Sequence, residues 1–181
     1  MYHISDDPRA KVSAQRICEA LTECARRKPF SEIAVNDLHR EYGISRTTFY
    51  RLFDNTVDVL EYMADRMGRE ILLNLKGDTP KELVINAIYA LQERRELIEL
   101  LTQSGHLDIF QKKGEQYLPL SKLTTGLDLH YGGEYFYRLS SYMIPLALDV
   151  WVTGGKKDSP EEVYEKLCQS IQMLGVWFST P

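Results

Sequence analysis

Five side chains within six positions, Arg46, Thr47, Thr48, Tyr50 and Arg51, bring together two guanidinium forks, two hydroxyls and a phenol. Forked N–H donors and short hydroxyls are the groups that read base edges and hold phosphate oxygens. They follow Gly43-Ile44-Ser45, where a glycine turn ends one helix and a serine caps the next. A helix so capped points its unpaired N–H groups, and the positive end of its dipole, toward an anion. Such groups suit recognition of a phosphate polymer, which breaks no bond, and they are equally the side chains of an ordinary solvated helix in a helical hairpin.

Catalytic constellations are missing from the rest of the 181 residues. There is no GxSxG, HExxH, P-loop or glycine-rich dinucleotide fingerprint, and the carboxylates are spread over solvent-facing helix positions. The three cysteines, Cys18, Cys24 and Cys168, lack CxxC spacing, and the four histidines, His3, His39, His106 and His130, lack paired-ligand spacing. Free thiols, no disulfide framework, no metal and no cofactor are the expectation. No apolar run approaches the ~20 residues that cross a bilayer. The opening Met1-Tyr2-His3-Ile4-Ser5-Asp6-Asp7 is not a signal peptide pattern, so the cytoplasm is the expected location and a membrane is not an expected partner.

A net charge of −4 looks unfavourable for a nucleic-acid partner until it is divided. Residues 1–56 hold nine Lys/Arg against eight Asp/Glu, whereas the remainder holds thirteen against eighteen. An acidic body with a near-neutral head still binds phosphate where Arg and Lys are placed locally.

The elements that must position these groups are helical throughout. Ile17, Ala20, Leu21, Cys24 and Ala25 recur at the spacing of one buried stripe, stopped by Pro29. Val35 to Tyr42 forms a short second helix, Gly43 breaks it, and a third runs from Ser45 through Phe53. Leu38, Ile44 and Phe49 pack these two onto the first, which is the layout of a helix-turn-helix. Asp54-Asn55-Thr56 supplies turn and cap before a long helix with Leu60, Met63, Ala64, Met67, Ile71 and Leu75 inward. Thr79-Pro80 opens another, and helical patterns continue through Leu83, Ala87 and Leu91, then Leu97, Ile98 and Leu101. Gly105, Gly114, Pro119, Gly126, Gly132 and Gly133 interrupt residues 104–133, where one or two short helices and a mobile loop near 124–133 are expected. Phe136, Leu139, Met143, Leu146, Ala147 and Val150 form a strong stripe ended by Gly154-Gly155. Ser159-Pro160-Glu161-Glu162 reads as a capping box before a last helix with Val163, Leu167, Ile171, Leu174 and Phe178. The fold class is all-α with about nine helices.

From Arg16 to Leu60 the chain resembles the N-terminal domain of TetR-type transcription regulators. The resemblance rests on Phe30, on Val35-Asn36-Asp37-Leu38 leading to Gly43-Ile44-Ser45, and on Arg46-Thr47-Thr48-Phe49-Tyr50-Arg51-Leu52-Phe53, which contains the T-x-Y-x-x-F core. Trp151-Val152-Thr153-Gly154-Gly155 with Ser159-Pro160-Glu161-Glu162 is similar to the junction between the last two helices of that family's sensor domain. The resemblance implies a three-helix DNA-binding domain, residues 1–56, and a helical domain for effector binding and dimerisation, residues 57–181. It implies a homodimer, commonly a repressor, on a palindromic double-stranded operator. Two positions depart from the family. Ala34 stands where Thr or Ser usually enters the second helix, leaving Ser31 or Asn36 for the phosphate, and Thr56 stands where the fourth helix often begins with Lys.

On this reading Arg46, Thr47 and Thr48 face base edges while Ser45, Tyr50 and Arg51 hold phosphates. Two such helices enter successive major grooves ~34–36 Å apart. A ligand that fits only one tilt of the fourth helix would switch the pair. Met63, Met67, Tyr89, Phe110, Tyr117 and Tyr142 are the candidate pocket residues, because thioethers adapt and aromatic rings give flat apolar walls with polar tips. The last two helices carry more apolar surface than a small domain covers, so Met143, Leu146, Val150, Leu167, Leu174 and Phe178 are the candidate dimer interface. A TetR-like regulator or activator governed by a protein partner, with no small-molecule pocket, is the alternative.

Overall fold

Helix boundaries fall where short polar side chains meet unpaired N–H groups. Asp7, Ser45, Asn55 and Thr79 each accept a backbone N–H two or three residues on, opening four of the helices, and Pro8 and Pro80 take first helical positions where no N–H is needed. Ser159 and Glu162 form the reciprocal cap: the Ser159 N–H donates to Glu162 Oε2 at 2.7 Å, and the Glu162 N–H to Ser159 Oγ at 3.2 Å. The computed structural model describes residues 1–130 and 132–179, with the side chains of residues 178 and 179 excepted.

Among these residues there are nine α-helices and no strand: α1 Pro8–Ala25, α2 Val35–Tyr42, α3 Arg46–Leu52, α4 Thr56–Leu73, α5 Pro80–Gln92, α6 Arg95–Gln103, α7 Leu107–Tyr117, α8 Gly133–Thr153 and α9 Pro160–Ser179. The all-α expectation, with a helix-turn-helix ahead of a helical body, is what the chain adopts. None of these helices is long and apolar enough to cross a membrane.

Helices α1 to α3 pack around Ile17, Leu21, Leu38, Phe49, Leu52 and Phe53, all fully buried. One continuous core then joins this head to the body through Val59, Leu60, Ile88, Ile98, Leu101 and Leu148. Helix α4 packs on α1 and, most extensively, on α7; α7 packs in turn on α8, and α5 on α9.

Residues 104–130 are more regular than their glycines suggest, residue 131 of the expected mobile loop lying outside the described residues. Gly114 does not interrupt a helix. It lies inside α7, where a Cβ would stand 3.2 Å from that of Ser141 on α8, so its missing side chain lets two helices approach. Two 3-10 turns, Leu118–Leu120 and Lys122–Thr124, follow before α8 begins at Gly133. Leu75, expected on the stripe of α4, lies beyond the helix end and is buried all the same.

The apolar stripe of α8 faces outward. Leu139, Leu146 and Val150 are exposed, with Tyr135 and Tyr142 beside them, while Ser141, Pro145, Leu148 and Trp151 are the buried residues of that helix. Trp151 donates its Nε1–H to the Asp158 carbonyl at 3.0 Å, bracing the turn between α8 and α9. The far half of α9 leaves the body altogether, exposing Ile171, Met173, Leu174, Val176 and Trp177, the last at 74%.

Candidate nucleic-acid interface

Helices of eight and seven residues are too short to persist alone in water, so tertiary contacts must set α2 and α3. Gly43 makes the turn between them at φ 66°, a left-handed conformation that costs a side-chain-bearing residue energy. Its N–H returns to the His39 carbonyl at 3.1 Å, and that of Ile44 to Leu38 at 3.3 Å. Ala34 has no side-chain acceptor for the start of α2. Asp37 supplies half of a cap instead, accepting the Ala34 N–H at 2.9 Å.

Asp37 was not legible as a functional residue, yet it organises the charge here. It is buried, and it pairs with Lys28 from the turn after α1 and with Arg40 Nη2 at 3.1 Å. The Lys28 ammonium, with the Ala34 N–H and Arg40, holds its carboxyl below the usual carboxylate range. Arg27 pairs with Glu41 at 2.9 Å and also donates to the Tyr42 hydroxyl. Three of the five Lys/Arg in residues 27–56 are therefore neutralised internally. Arg46 and Arg51 are the two without a carboxylate partner among the described residues.

Both lie on the outer face of α3. Phe49 and Leu52 turn inward, whereas Arg46, Thr47, Tyr50 and Arg51 are exposed and Thr48 is half-buried. Ser45 Oγ accepts the Thr48 N–H at 3.0 Å and donates to Thr48 Oγ1 at 2.8 Å. Arg46 Nη2 donates to Asn36 Oδ1 at 3.0 Å, so the first helix of the motif aims the guanidinium of the second. The Tyr50 ring stands edge-on to Phe49 with its centroid 5.5 Å away. Ser31, exposed, and Thr56, half-buried, line a different recess with Arg27, Lys28 and His106.

The pocket candidates do not converge. A small, mainly apolar cavity of about 40 Å³, partly open to its surroundings, lies between α4, α5, α7 and α8, and of the six only Phe110 lines it, with Gly68, Ile71, Leu91, Gly114 and Pro145 among its neighbours. Met63 and Met67 line an open cleft facing Gln15 and Cys18 of α1. Tyr117 is buried and donates its hydroxyl to Asp65 Oδ1 at 2.8 Å. Tyr89 and Tyr142 are exposed.

Asp65 is a second residue that the sequence did not reveal. It accepts from Lys113 at 2.8 Å as well, with Arg69 3.6 Å away. Burial pushes its pKa up, but the hydrogen bonds and charges of Lys113, Tyr117 and Arg69 outweigh that and hold it below the usual value. Of the interface candidates, Leu146, Val150 and Leu174 are exposed and Met143 and Leu167 half-buried; the Phe178 side chain lies outside the described residues. Among the described residues no group of three or more His, Cys, Asp or Glu is placed to hold a metal ion.

The whole architecture is that of TetR-type transcription regulators. It superposes on the crystal structure of a TetR transcriptional regulator from Streptococcus agalactiae 2603V with a TM-score of 0.66 at 14% identity, over 89% of this chain and 94% of that one. It also superposes on the dihydroxyacetone kinase operon activator DhaS with a TM-score of 0.60 at 17% identity, over 91% of this chain and 96% of that one. At such identities the likeness is one of fold. No family model matches the sequence, and no curated protein does.

Proposed function

We propose that this chain is a dimeric DNA-binding transcription regulator of the cytoplasm and not an enzyme, its residues 1–56 forming the DNA-binding head and residues 57–181 the dimerisation and sensing body. The observation that carries the reading is the outer face of α3. Arg46 and Arg51 stand there without carboxylate partners among the described residues, next to exposed Thr47 and Tyr50. In this reading Arg46, Thr47 and Thr48 contact base edges, Ser45, Tyr50 and Arg51 contact phosphates, and Asn36 acts through Arg46. Ser31 and Thr56 contact phosphate from the neighbouring recess. The exposed apolar faces of α8 and α9 pair with those of a second copy, so the operator is palindromic with half-sites ~34–36 Å apart.

Repression by occupying the operator is the default action we assign. One neighbour in fold is named an operon activator, and a reporter gene behind the bound sequence separates the two signs. Selection of bound duplexes from a random DNA pool tests the reading directly. A two-fold symmetric consensus supports it, and a pool that never enriches defeats it.

Control by an effector in the body completes the proposal. The cavity of about 40 Å³ is far below the ~150 Å³ that takes a guest the size of benzene, so a small effector must widen it. That shortfall favours, as the second reading, control by a protein partner that needs no small-molecule pocket.

A further inference from the structure

Helix α6 is tied to two distant parts of the chain along one face. Its residues Leu97, Ile98, Leu100 and Leu101 go into the core, which leaves Glu96 and Glu99, three positions apart, as neighbours on the outer side. Arg26, the C-cap of α1, donates from Nη2 to Glu96 Oε1 at 2.5 Å. Lys156, in the turn between α8 and α9, donates from Nζ to Glu99 Oε1 at 2.8 Å. The second pair is the more sheltered, its side chains 38% and 26% exposed against 51% and 57% for the first, so water screens it less. Ala25, Arg26, Glu96, Glu99, Leu100 and Lys156 line one recess, where the end of α1, the outer side of α6 and the α8–α9 turn meet. Just past α6, His106 meets the Phe30 ring of the head edge-on at 5.7 Å.

The backbone at Lys156 is set for this role. The Lys156 N–H returns to the Trp151 carbonyl at 2.8 Å and that of Gly155 to Val152 at 3.2 Å, closing α8 around a left-handed Gly155 at φ 88°. That closure asks for one left-handed residue. Lys156 is a second, at φ 60°, and it is the one residue other than glycine with a positive φ among the described residues. Such a conformation persists where the surroundings over-determine it; here the N–H is fixed to α8 and the Nζ to α6. Asp158 braces the far side of the turn, its carbonyl accepting from Trp151 Nε1 and, at 3.2 Å, from Gln92 Nε2 at the end of α5.

We propose that Lys156 and Glu99 are positioning residues for the head, with α6 a strut that carries the setting of the α8–α9 turn to the end of α1 through the pairs Lys156–Glu99 and Glu96–Arg26. The two pairs join α1, α6 and the turn, and no residue of α4 takes part in them. Whatever closes on the exposed faces of α8 and α9 bears on the turn that joins those helices, so a second copy seated there reaches the head along α6. The strut touches none of the residues on the outer face of α3. Its link to DNA affinity rests on the proposed function; the mechanical tie does not.

Amide hydrogen exchange on the full chain tests it, read over residues 20–28 with α7 as the reference. Lys156→Ala is expected to speed exchange over 20–28 about threefold, the scale of a partly exposed ion pair, with α7 unchanged. It is expected to add little once Arg26→Ala is present, because α6 is what links the two side chains. Lys156→Gly relaxes the left-handed backbone, so residues 150–158 stay protected while 20–28 still speeds up; a residue that served the turn alone would leave 20–28 as it was. Glu99→Lys with Lys156→Glu restores the pair with its charges exchanged and is expected to restore the wild-type rate. Unchanged exchange over 20–28 in Lys156→Ala, additive effects in the cycle, or no restoration by the exchanged pair overturns the strut. Lys156→Gly is also expected to weaken binding to the selected duplex about threefold with self-association intact; undiminished affinity overturns the positioning role. A wild-type chain that enriches no duplex defeats the DNA reading alone, since the exchange cycle still decides the strut.

Discussion

The head and the α8–α9 end expose surfaces of opposite chemistry, although both are built from amphipathic helices. On α3 the apolar residues Phe49 and Leu52 go inward and guanidinium, hydroxyl and phenol groups go out. On α8 the residues that go out are Leu139, Leu146 and Val150, while a serine, a proline, a leucine and a tryptophan go in. A polar outer face satisfies itself in water and needs a partner only for function. An exposed apolar stripe is a cost until something covers it. On the proposed reading, the contrast separates a surface for a charged polymer from one for protein.

Four changes break or sharpen that contrast, each with a different readout. Phe49→Ala empties the inner face of α3, where the ring is wholly buried, and is expected to lower unfolding free energy by about 3–5 kcal/mol in urea titration. Leu146→Glu with Val150→Glu acts on the exposed stripe, so it leaves the monomer's unfolding nearly unchanged. Self-association is expected to weaken by about 2 kcal/mol or more in sedimentation equilibrium; a monomeric wild type would remove the dimer from the proposal.

Arg46→Ala is expected to cost about 1–3 kcal/mol of binding to the selected duplex and to relax one position of its consensus. Equal weakening on every sequence would turn Arg46 into a phosphate contact. Gly43→Ala tests the turn alone, because a Cβ there meets nothing within 4 Å. Its expected cost is about 1–2 kcal/mol, from the positive φ, read as a lower melting temperature.

What could be read in advance follows the range of the interactions involved. The helix-turn-helix was legible because its parts are local: Leu38, Gly43, Ser45 and Phe49 act within a dozen residues. Asp37 was not, because its partner Lys28 sits in the irregular turn after α1, where no periodicity aims a side chain, and Asp65 was not, because Lys113 and Tyr117 stand about fifty positions on. Gly114 reads as a break in the sequence and is none in the fold, since a missing Cβ ends a helix and admits a neighbouring one with equal ease. The α8 stripe was visible, but periodicity gives a face and not what covers it. The ligand candidates fared differently because residue type says nothing of depth. Met67 and Tyr117 are buried while Tyr89 and Tyr142 stand in solvent.

The two tryptophans divide along the same line. Trp151 is 7% exposed, its indole fixed to the Asp158 carbonyl, while Trp177 rides the overhanging end of α9. Iodide in solution can strike the second ring and is screened from the first, so the chain carries two optical reporters that answer separately. Emission from Trp177 follows whatever settles on the overhang, and emission from Trp151 stays silent until the α8–α9 turn itself comes apart.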